Sequence, residues 1–357
     1  MSERAAAADR LGELLTERPD GLRFSEYLDL VLYDPEVGFY EVAGRAGSRS
    51  GDFITSVETG TLFAALIGEW LDRRWDDAGR PQPFRVAEVG AGVGTLWRGI
   101  QRARPRCLPD LAYTLVERAA AQRAAHAELP GSPGSSAQLP AGGPLHVILA
   151  NELLDNLGVD LAVTAAGGWR QLVLRADPGS TTASAMLVPG DLLDPEYANR
   201  LPSASGLPEG STLPLPVGAD AWLAEVTARG QVVLCLDYAA TTDELLNRGM
   251  TGWLRTYDGH RRGGDPLADP GTRDITHDVP VDLLDPQPVR TMSQARFLTD
   301  LGIAARVDQA RATWEERRHL GDLEAMFARS AIGEAEALVD PAGLGGFVAM
   351  EWRQNGG

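Results

Sequence analysis

The sequence predicts an α/β fold in which strands and helices alternate along the chain. Four apolar runs have the length of buried strands, and each is followed by a glycine or a polar residue: 84–89, 111–116, 145–150 and 231–236. A helical pattern at 95–103 separates the first run from the second, which makes a βαβ unit. The 357 residues are enough for one large domain or two.

A turn rich in glycine follows the first strand, in the sequence Glu88-Val89-Gly90-Ala91-Gly92-Val93-Gly94. Glycine is favoured where a strand turns sharply into a helix and where a ligand approaches the main chain closely. The dinucleotide fingerprint places its third glycine where Thr95 stands. S-adenosylmethionine (SAM) is cationic, and Glu88 offers it a carboxylate. The turn therefore favours SAM over a dinucleotide, and a turn that binds nothing remains the alternative.

An acidic residue stands at the end of the second strand. Glu117 follows Gly90 by 27 positions along the chain. A carboxylate at this position accepts hydrogen bonds from the ribose hydroxyls in folds that bind NAD, and SAM-binding folds use it in the same way. Glu117 therefore indicates a nucleoside without choosing the cofactor. An acidic side chain that only faces solvent is the alternative.

The third strand runs into the polar segment Asn151-Glu152-Leu153-Leu154-Asp155. Ligands of open α/β sheets bind beside the carboxyl ends of the strands, so we expect this segment near the glycine turn. Glu152 and Asp155 are three positions apart and could face one ligand from a turn. Paired carboxylates suit a guanidinium group, which presents a planar fork of N–H donors. From the pattern alone, a helix cap is the simpler interpretation.

The remaining elements are predicted in chain order. Helical patterns occur at 11–16, 24–33, 59–75, 220–228, 292–301 and 313–328, with Ser25 as a candidate cap of the second. A hairpin is predicted at 159–174 and a final strand at 344–352. Residues 129–144 and 176–213 are rich in Gly, Pro and Ser and show no strand pattern. The polar stretches 44–56 and 253–280 are predicted to be loops, and the first could cover a bound cofactor.

Composition argues against several classes of protein. The formal net charge of −17 opposes nucleic-acid binding and suits a cationic partner. No apolar run approaches the roughly 18 residues of a membrane span. The two cysteines form no CxxC pair and the histidines no cluster, so we expect neither a metal site nor a disulfide scaffold. The first 20 residues resemble neither a secretory signal nor a transit peptide, so we expect a soluble, cytoplasmic protein.

Taken together, several segments resemble the MidA-like family of SAM-dependent methyltransferases. Eight motifs occur in the family's order: Tyr33-Asp34-Pro35 with Gly38-Phe39-Tyr40, Gly51-Asp52-Phe53-Ile54-Thr55-Ser56, 88–96, Leu115-Val116-Glu117, 150–155, Leu236-Asp237-Tyr238, Leu254-Arg255-Thr256-Tyr257 and Leu344-Gly345-Gly346-Phe347. The resemblance covers nearly the whole chain. It implies a class I methyltransferase fold, which is a Rossmann-like, seven-stranded, mostly parallel sheet with helices on both faces. It also implies the activity of the family's mitochondrial members, which methylate an arginine and assist respiratory complex I assembly.

The resemblance assigns roles to individual residues. SAM would be held by the glycine turn, by Glu117 and by the loop that precedes the first strand: Gly51, Asp52, Phe53, Thr55, Glu88, Gly90, Gly92, Gly94, Glu117 and Asn151. The acceptor side would be formed by Asn151, Glu152 and Asp155, which are the predicted catalytic residues. We expect residues 1–80 to form a helical segment with the cofactor-covering loop. We expect 81–357 to form the methyltransferase domain, with insertions at about 160–220 and 250–290.

The departures from the family pattern fall on the acceptor side. Val57 replaces a proline, Ala239 replaces a glycine, and Leu213-Pro214-Leu215-Pro216 stands where an acidic segment is usual. The usual Thr-Ala-His-Val is Thr276-His277-Asp278-Val279. The acceptor is therefore open between a protein arginine and a small molecule, and a homodimer is open as well. Two rival functions remain: a SAM-binding assembly protein without catalysis, and an NAD-dependent oxidoreductase.

Overall fold

The computed structural model describes residues 3–42, 56–178, 184–258 and 261–354. Its contacts divide the chain into two compact units. Unit 1 contains Met1–Phe53, Leu153–Glu225 and Tyr238–Gln287, and unit 2 contains Ile54–Glu152, Val226–Asp237 and Pro288–Gly357. The predicted boundary at residue 80 falls inside unit 2, and the two predicted insertions lie almost wholly in unit 1.

The elements of the described residues are as follows. The helices are α1 (Glu3–Glu17), α2 (Phe24–Tyr33), α3 (Leu62–Asp77), α4 (Thr95–Ala103), α5 (Ala120–Arg123), α6 (Pro195–Ala198), α7 (Val217–Arg229), α8 (Thr242–Arg248), α9 (Met250–Trp253), α10 (Gln294–Asp300), α11 (Ile303–Arg317) and α12 (Leu323–Val339). The strands are β1 (Leu22–Arg23), β2 (Phe84–Val89), β3 (Leu111–Val116), β4 (Gly134–Ser136), β5 (Leu145–Asn151), β6 (Asp160–Ala165), β7 (Gly168–Ala176), β8 (Ala185–Leu192), β9 (Thr212–Leu215), β10 (Gly230–Asp237), β11 (Ala239–Ala240), β12 (Leu254–Asp258), β13 (Arg261–Arg262), β14 (Asp274–His277), β15 (Val279–Pro280), β16 (Arg290–Ser293) and β17 (Val348–Arg353).

Unit 2 is built on a mixed sheet with the strand order β16-β17-β10-β5-β2-β3-β4. Neighbours from β10 to β4 pair in parallel, whereas β17 is antiparallel to both β10 and β16. The register aligns the strand ends, because Val89 is opposite both Val116 and Ala150, and Asn151 is opposite Leu236. The polar residues that follow β2, β3, β5 and β10 therefore share one edge of the sheet.

The central strands of unit 2 are mainly apolar because both faces of the sheet are covered. Val86, Ala87, Val147 and Ile148 are fully buried. Helices α3 and α4 contribute large buried side chains to the same core, among them Phe63, Leu66, Trp97 and Ile100. The predicted α/β class is confirmed. The sequence prediction of no strand at 129–144 was wrong. Strand β4 pairs with β3 through backbone hydrogen bonds, and its Gly and Ser residues do not show the apolar pattern by which a strand is recognised.

Unit 1 contains an antiparallel sheet with the order β1-β7-β6-β9, and β8 pairs with β7. The predicted hairpin is confirmed as β6 and β7, which turn at Ala166 and Gly167 with φ of +51° and +78°. Strand β8 lies within 176–213, where the sequence showed no pattern, and β9 begins at the end of that stretch. Helix α2 packs Phe24, Tyr27 and Val31 into the core of this unit.

Ser25 is not the cap of α2, contrary to the prediction. The helix begins at Phe24, and the backbone N–H of Arg23 donates to Glu26 Oε2 at 3.0 Å. Ser25 instead donates through its hydroxyl to the buried Asp160 Oδ1 at 2.7 Å. Within the described ranges, no helix combines the length and the apolar character that crossing a membrane requires.

Candidate active site

The glycine turn, Gly90 to Gly94, adopts a backbone that only glycine accommodates without strain. Gly90, Gly92 and Gly94 have φ of +70°, +53° and +79°. A Cβ at Gly94 would lie 2.5 Å from Leu129 Cδ1, so the space beside the turn is also limited. The N–H groups of Gly90 and Ala91 both donate to the carbonyl of Val116, at 2.9 and 3.2 Å. These bonds fix the turn against the end of β3.

Glu117 supports the turn directly. Its two carboxylate oxygens accept from the N–H of Gly92 at 2.9 Å and the N–H of Ala119 at 2.8 Å. Burial raises the pKa of Glu117, and these two amide donors act in the opposite direction. A carboxylate has about four acceptor sites, so two remain for the hydroxyls of a ligand.

His126 holds the other side of Gly92 and was not predicted from the sequence. Its Nε2 lies 2.7 Å from the carbonyl oxygen of Gly92, and its Nδ1 lies 2.8 Å from Ser135 Oγ. The ring is buried, and Ser135 belongs to β4. No sequence signal indicated this histidine, because the contact depends on an edge strand that the pattern did not predict.

Glu88 is buried within β2, just before the turn. Its Oε2 accepts from the hydroxyl of Tyr113 at 2.8 Å, and the Tyr113 ring stacks on Trp97 with centroids 4.6 Å apart. Burial raises the pKa of Glu88 to about 8; the Tyr113 bond lowers it and the charge of Glu117 raises it further. Glu88 is therefore mostly protonated at neutral pH, and a nearby positive charge would favour its ionised form.

Asn151 and Glu152 lie where β5 ends, on the sheet edge that carries the glycine turn. Glu152 has φ of +51°, a sparsely populated value for a residue with a side chain, and its N–H donates to the Leu236 carbonyl at 2.8 Å. Glu152 Oε1 accepts from the Ser56 N–H at 3.1 Å and from Asn151 Nδ2 at 3.0 Å. The strained backbone thus aims a carboxylate that is held in place by two donors.

The electrostatics of Glu152 resemble those of Glu88. Burial of its carboxyl group raises the pKa to about 8, and the charge of Asp237 at the end of β10 adds to the shift. The side chain as a whole keeps partial exposure. Asn151 Oδ1 is buried and accepts no hydrogen bond from any part of the chain that the structure describes. This site therefore offers a held carboxylate beside an amide oxygen that is free to accept.

Asp155 lies in unit 1, in the 3-10 turn Leu154–Asn156, and is buried. The same unit contains a group of three side chains, here named the Tyr40 cluster: Tyr40, Asn156 and Asp274. The Tyr40 hydroxyl lies 2.9 Å from Asp274 Oδ1, and Asn156 Nδ2 donates to that same oxygen at 3.2 Å. Burial raises the pKa of Tyr40, and the charges of Asp274 and Asp155 add to it. Asn156 and Asp274 were not predicted as site residues, because neither belongs to a local motif.

Four predicted cofactor-binding residues, Gly51, Asp52, Phe53 and Thr55, lie outside the described residues. Ser56 directly follows them and is described. Its side chain is fully buried, and its hydroxyl donates to Gln294 Oε1 at 3.0 Å. Within the described ranges, no group of three or more His, Cys, Asp or Glu side chains is placed to hold a metal ion.

Residues 66–291 match the model of a protein family described as "Putative S-adenosyl-L-methionine-dependent methyltransferase". The chain belongs to this family. The resemblance that the sequence motifs indicated is therefore confirmed, and so is SAM as the cofactor.

Curated relatives bear names that specify an acceptor. A Drosophila melanogaster protein named protein arginine methyltransferase NDUFAF7 homolog, mitochondrial, is 29% identical over 71% of this chain. The match spans 64% of that relative's own length. The Mus musculus protein arginine methyltransferase NDUFAF7, mitochondrial, is 25% identical over 87% of this chain and 78% of its own length.

A solved structure shares the fold over the full length. The crystal structure of a Burkholderia thailandensis protein bound to S-adenosyl-homocysteine superposes with a TM-score of 0.81 at 26% identity. It covers 100% of this chain and 95% of that one. A second structure from the same organism, determined in native form, gives a TM-score of 0.78.

Proposed function

We propose that this chain transfers the methyl group of SAM to a guanidine nitrogen of an arginine on a protein. The observation that carries the proposal is the held pair Asn151 and Glu152, at a sheet edge that also presents the glycine turn. Support comes from the names of the relatives, which are protein arginine methyltransferases. The net charge of −17 favours a cationic acceptor.

We also propose that the mixed sheet of unit 2 is the seven-stranded sheet of the class I methyltransferase fold. Its parallel strands β4, β3, β2, β5 and β10 are extended by β16 and the antiparallel β17, which fits that architecture. In this interpretation the crevice outside the carboxyl ends of the strands is the cofactor site. The cytoplasmic location remains a prediction.

The residues at the sheet edge fit the cofactor. The positive-φ glycines leave the main chain of the turn open to close approach, and Glu117 retains acceptor sites for two ribose hydroxyls. Asn151 Oδ1 can accept a hydrogen bond from an ammonium or amide donor of the ligand, which would give this buried oxygen a partner. Glu88 can balance the positive charge of the cofactor by ionising. When bound, SAM supplies a methyl group on a sulfonium, which is already activated for attack by a nitrogen lone pair.

The role of this chain is then to align and polarise the acceptor. Glu152, whose Oε1 is fixed by Ser56 and Asn151, would accept an N–H bond from the guanidinium and orient the attacking nitrogen. The positive charge of the bound guanidinium would favour the ionised form of Glu152, and the raised pKa of this carboxylate then suits it to take the proton that the nitrogen loses after methylation. We propose Asp155 as a second carboxylate for the acceptor.

Methyl transfer with isosteric variants tests the proposal. The protein is incubated with methyl-labelled SAM and a cell lysate, and the labelled molecule is identified by mass spectrometry. We expect a protein band carrying methylarginine, and we expect Glu152→Gln and Asp155→Asn to lower the rate by about 100-fold or more. Calorimetry should show that both variants bind S-adenosyl-homocysteine with nearly unchanged affinity.

The control is Glu315→Gln, an isosteric change of a glutamate on α11 whose side chain is 61% exposed. It should leave the rate unchanged. Lost affinity for S-adenosyl-homocysteine in Glu152→Gln would move this residue to the cofactor side. Binding of the cofactor without label on any molecule would favour the alternative of a SAM-binding assembly protein without catalysis. The departures from the family pattern at Val57 and 213–216 support that alternative.

A further inference from the structure

A fully buried glutamine, Gln294, lies at the start of α10 in unit 2. Phe297 and Leu298, one turn further along the helix, belong to the apolar core of the same unit. Burying an amide costs free energy unless its polar atoms are paired, and an apolar side chain would fill the same space without that cost. An amide at this position therefore indicates a role beyond filling space.

The amide of Gln294 has a fixed orientation. Its Nε2 donates to the carbonyl oxygen of Leu338 at 3.3 Å, and its Oε1 accepts from the hydroxyl of Ser56 at 3.0 Å. A backbone carbonyl can only accept, so the nitrogen must face Leu338 and the oxygen must face Ser56. The main chain of Gln294 is fixed as well, because its N–H donates to the Phe347 carbonyl at 2.6 Å. The hydroxyl of Ser56 therefore meets an acceptor that cannot turn away.

Ser56 connects this amide to the carboxylate of Glu152. Ser56 is fully buried, and its carbonyl oxygen accepts from the Thr59 hydroxyl at 2.9 Å. The residue is thus held at two points, by its hydroxyl and by its carbonyl group. Its N–H donates to Glu152 Oε1, which lies 3.1 Å from the Ser56 nitrogen. Glu152 therefore receives this hydrogen bond from a donor whose direction is fixed.

We propose that Gln294 is a positioning residue for Glu152, which it orients through Ser56. This inference rests on the proposed function, because it explains how the carboxylate assigned to the acceptor is kept in one direction. Three hydrogen bonds form the path, from the Leu338 carbonyl through Gln294 and Ser56 to Glu152. A misplacement of about 1 Å at a reacting centre can slow a reaction about 100-fold, so a rigid support contributes to the rate.

The same path acts on the ionisation of Glu152. Burial raises the pKa of this carboxyl group, and the N–H of Ser56 acts in the opposite direction. The charges of Asp237 and Glu58 raise the pKa further. A substitution at Gln294 changes neither of these two carboxylates, so an altered titration of Glu152 would report on the Ser56 donor.

Two variants break the path at its central hydrogen bond. Gln294→Met keeps the length of the side chain and removes both amide bonds, whereas Ser56→Ala removes the hydroxyl and retains the N–H group. Either change releases the main chain of Ser56, so weaker N–H donation should raise the titration midpoint of Glu152 by about one pH unit. Because both variants interrupt the same path, the double variant should show no further rise.

The titration is followed by ¹³C NMR of the full chain, labelled at the glutamate carboxyl groups. Glu152→Gln identifies the signal of Glu152 by removing it. The matched control is Thr299→Val, which removes another side-chain hydrogen bond of α10, from the Thr299 hydroxyl to the Ala295 carbonyl at 2.7 Å. The control should leave the midpoint of Glu152 unchanged. Thermal unfolding confirms that each variant is folded, and Ser56→Ala tests the same link by a smaller change if Gln294→Met does not fold.

Methyl transfer gives a second readout. We expect Gln294→Met and Ser56→Ala to lower kcat about 10-fold with the KM for SAM nearly unchanged. The pH at which the rate rises should move upward, because Glu152 takes the proton in its ionised form.

A Glu152 midpoint equal to that of the wild type in both variants, or additive rises in the double variant, would overturn the proposal. Lower thermal stability without a shifted midpoint would likewise show that Gln294 has only a structural role. The titration requires no acceptor, so it is independent of methyl transfer. Shifted midpoints in a protein that transfers no methyl group would support the orientation of Glu152 by Gln294 and contradict only the proposed function.

Discussion

The glycine turn of unit 2 and the Tyr40 cluster of unit 1 are two polar sites built in opposite ways. The turn consists of main-chain groups from one short segment, and the residues that fix it are the ends of neighbouring strands. The Tyr40 cluster consists of side chains that are 116 and 234 positions apart from Tyr40 in the chain. A site of the first kind is visible in a sequence, whereas a site of the second kind exists only after folding.

The difference also predicts how each site responds to substitution. In the glycine turn the conformation is the essential property, so any added side chain is harmful whatever its chemistry. In the Tyr40 cluster the essential property is the matching of donors and acceptors, so an isosteric exchange that keeps the acceptor is tolerated. The following predictions are ordered by the size of the expected effect.

Gly94→Ala should have the largest effect. The substitution places a Cβ 2.5 Å from Leu129 Cδ1 and forces alanine to adopt φ of +79°. Backbone strain and steric overlap together should lower the free energy of unfolding by about 3 to 4 kcal/mol, as measured by urea denaturation.

Gly142→Ala separates the two causes. Gly142 has φ of +87°, and a Cβ there meets no atom within 4 Å, so only the strain of about 1 to 2 kcal/mol should appear. Equal effects of the two substitutions would show that the contact with Leu129 is unimportant.

Asp274→Ala should have the second-largest effect. The Tyr40 hydroxyl and Asn156 Nδ2 would lose the oxygen that both contact, inside a buried site. We expect a loss of about 2 to 3 kcal/mol in the free energy of unfolding, again from urea denaturation. Asp274→Asn retains an oxygen at this place and should cost less than half as much. A similar loss in both variants would mean that the charge of Asp274, rather than hydrogen bonding, stabilises the cluster.

The pH dependence of stability should reveal Glu88 and Glu152. Their folded pKa values of about 8 lie above the value of 4.5 expected in the unfolded chain. Between these values the folded protein binds more protons than the unfolded chain, so the free energy of unfolding falls as pH rises from 4.5 to 8. Above pH 8 this contribution no longer changes.

Glu88→Gln removes one of the two contributions. The stability of this variant should fall less steeply between pH 5 and pH 8, with a slope that is smaller by about 1.4 kcal/mol per pH unit, which is the contribution of one proton. Urea denaturation at several pH values measures the slopes. A slope identical to that of the wild type would place the pKa of Glu88 near its ordinary value.

The elements that the sequence predicted are those whose signal is local. The runs that became β2, β3, β5 and β10 are apolar because both faces of these strands are buried, and the three glycines are required by positive φ. The hairpin of β6 and β7 was also predicted, because its signal too is local to one short segment of the chain. Strands β4 and β8 were not, because an edge strand is held by backbone bonds and leaves little pattern in its side chains.

The sequence by itself determined that a nucleoside-binding α/β sheet would carry Gly90, Glu117, Asn151 and Glu152 at its strand ends. The period of apolar residues fixes where strands end, and parallel strands end at one edge. Only the tertiary structure decided which side chains form hydrogen bonds: His126 with Gly92, Ser56 with Glu152, and Tyr40 with Asp274. Each of those contacts joins residues whose separation in the chain carries no periodic signal, and hydrogen bonds between them form only when packing brings the side chains within 3 Å or so.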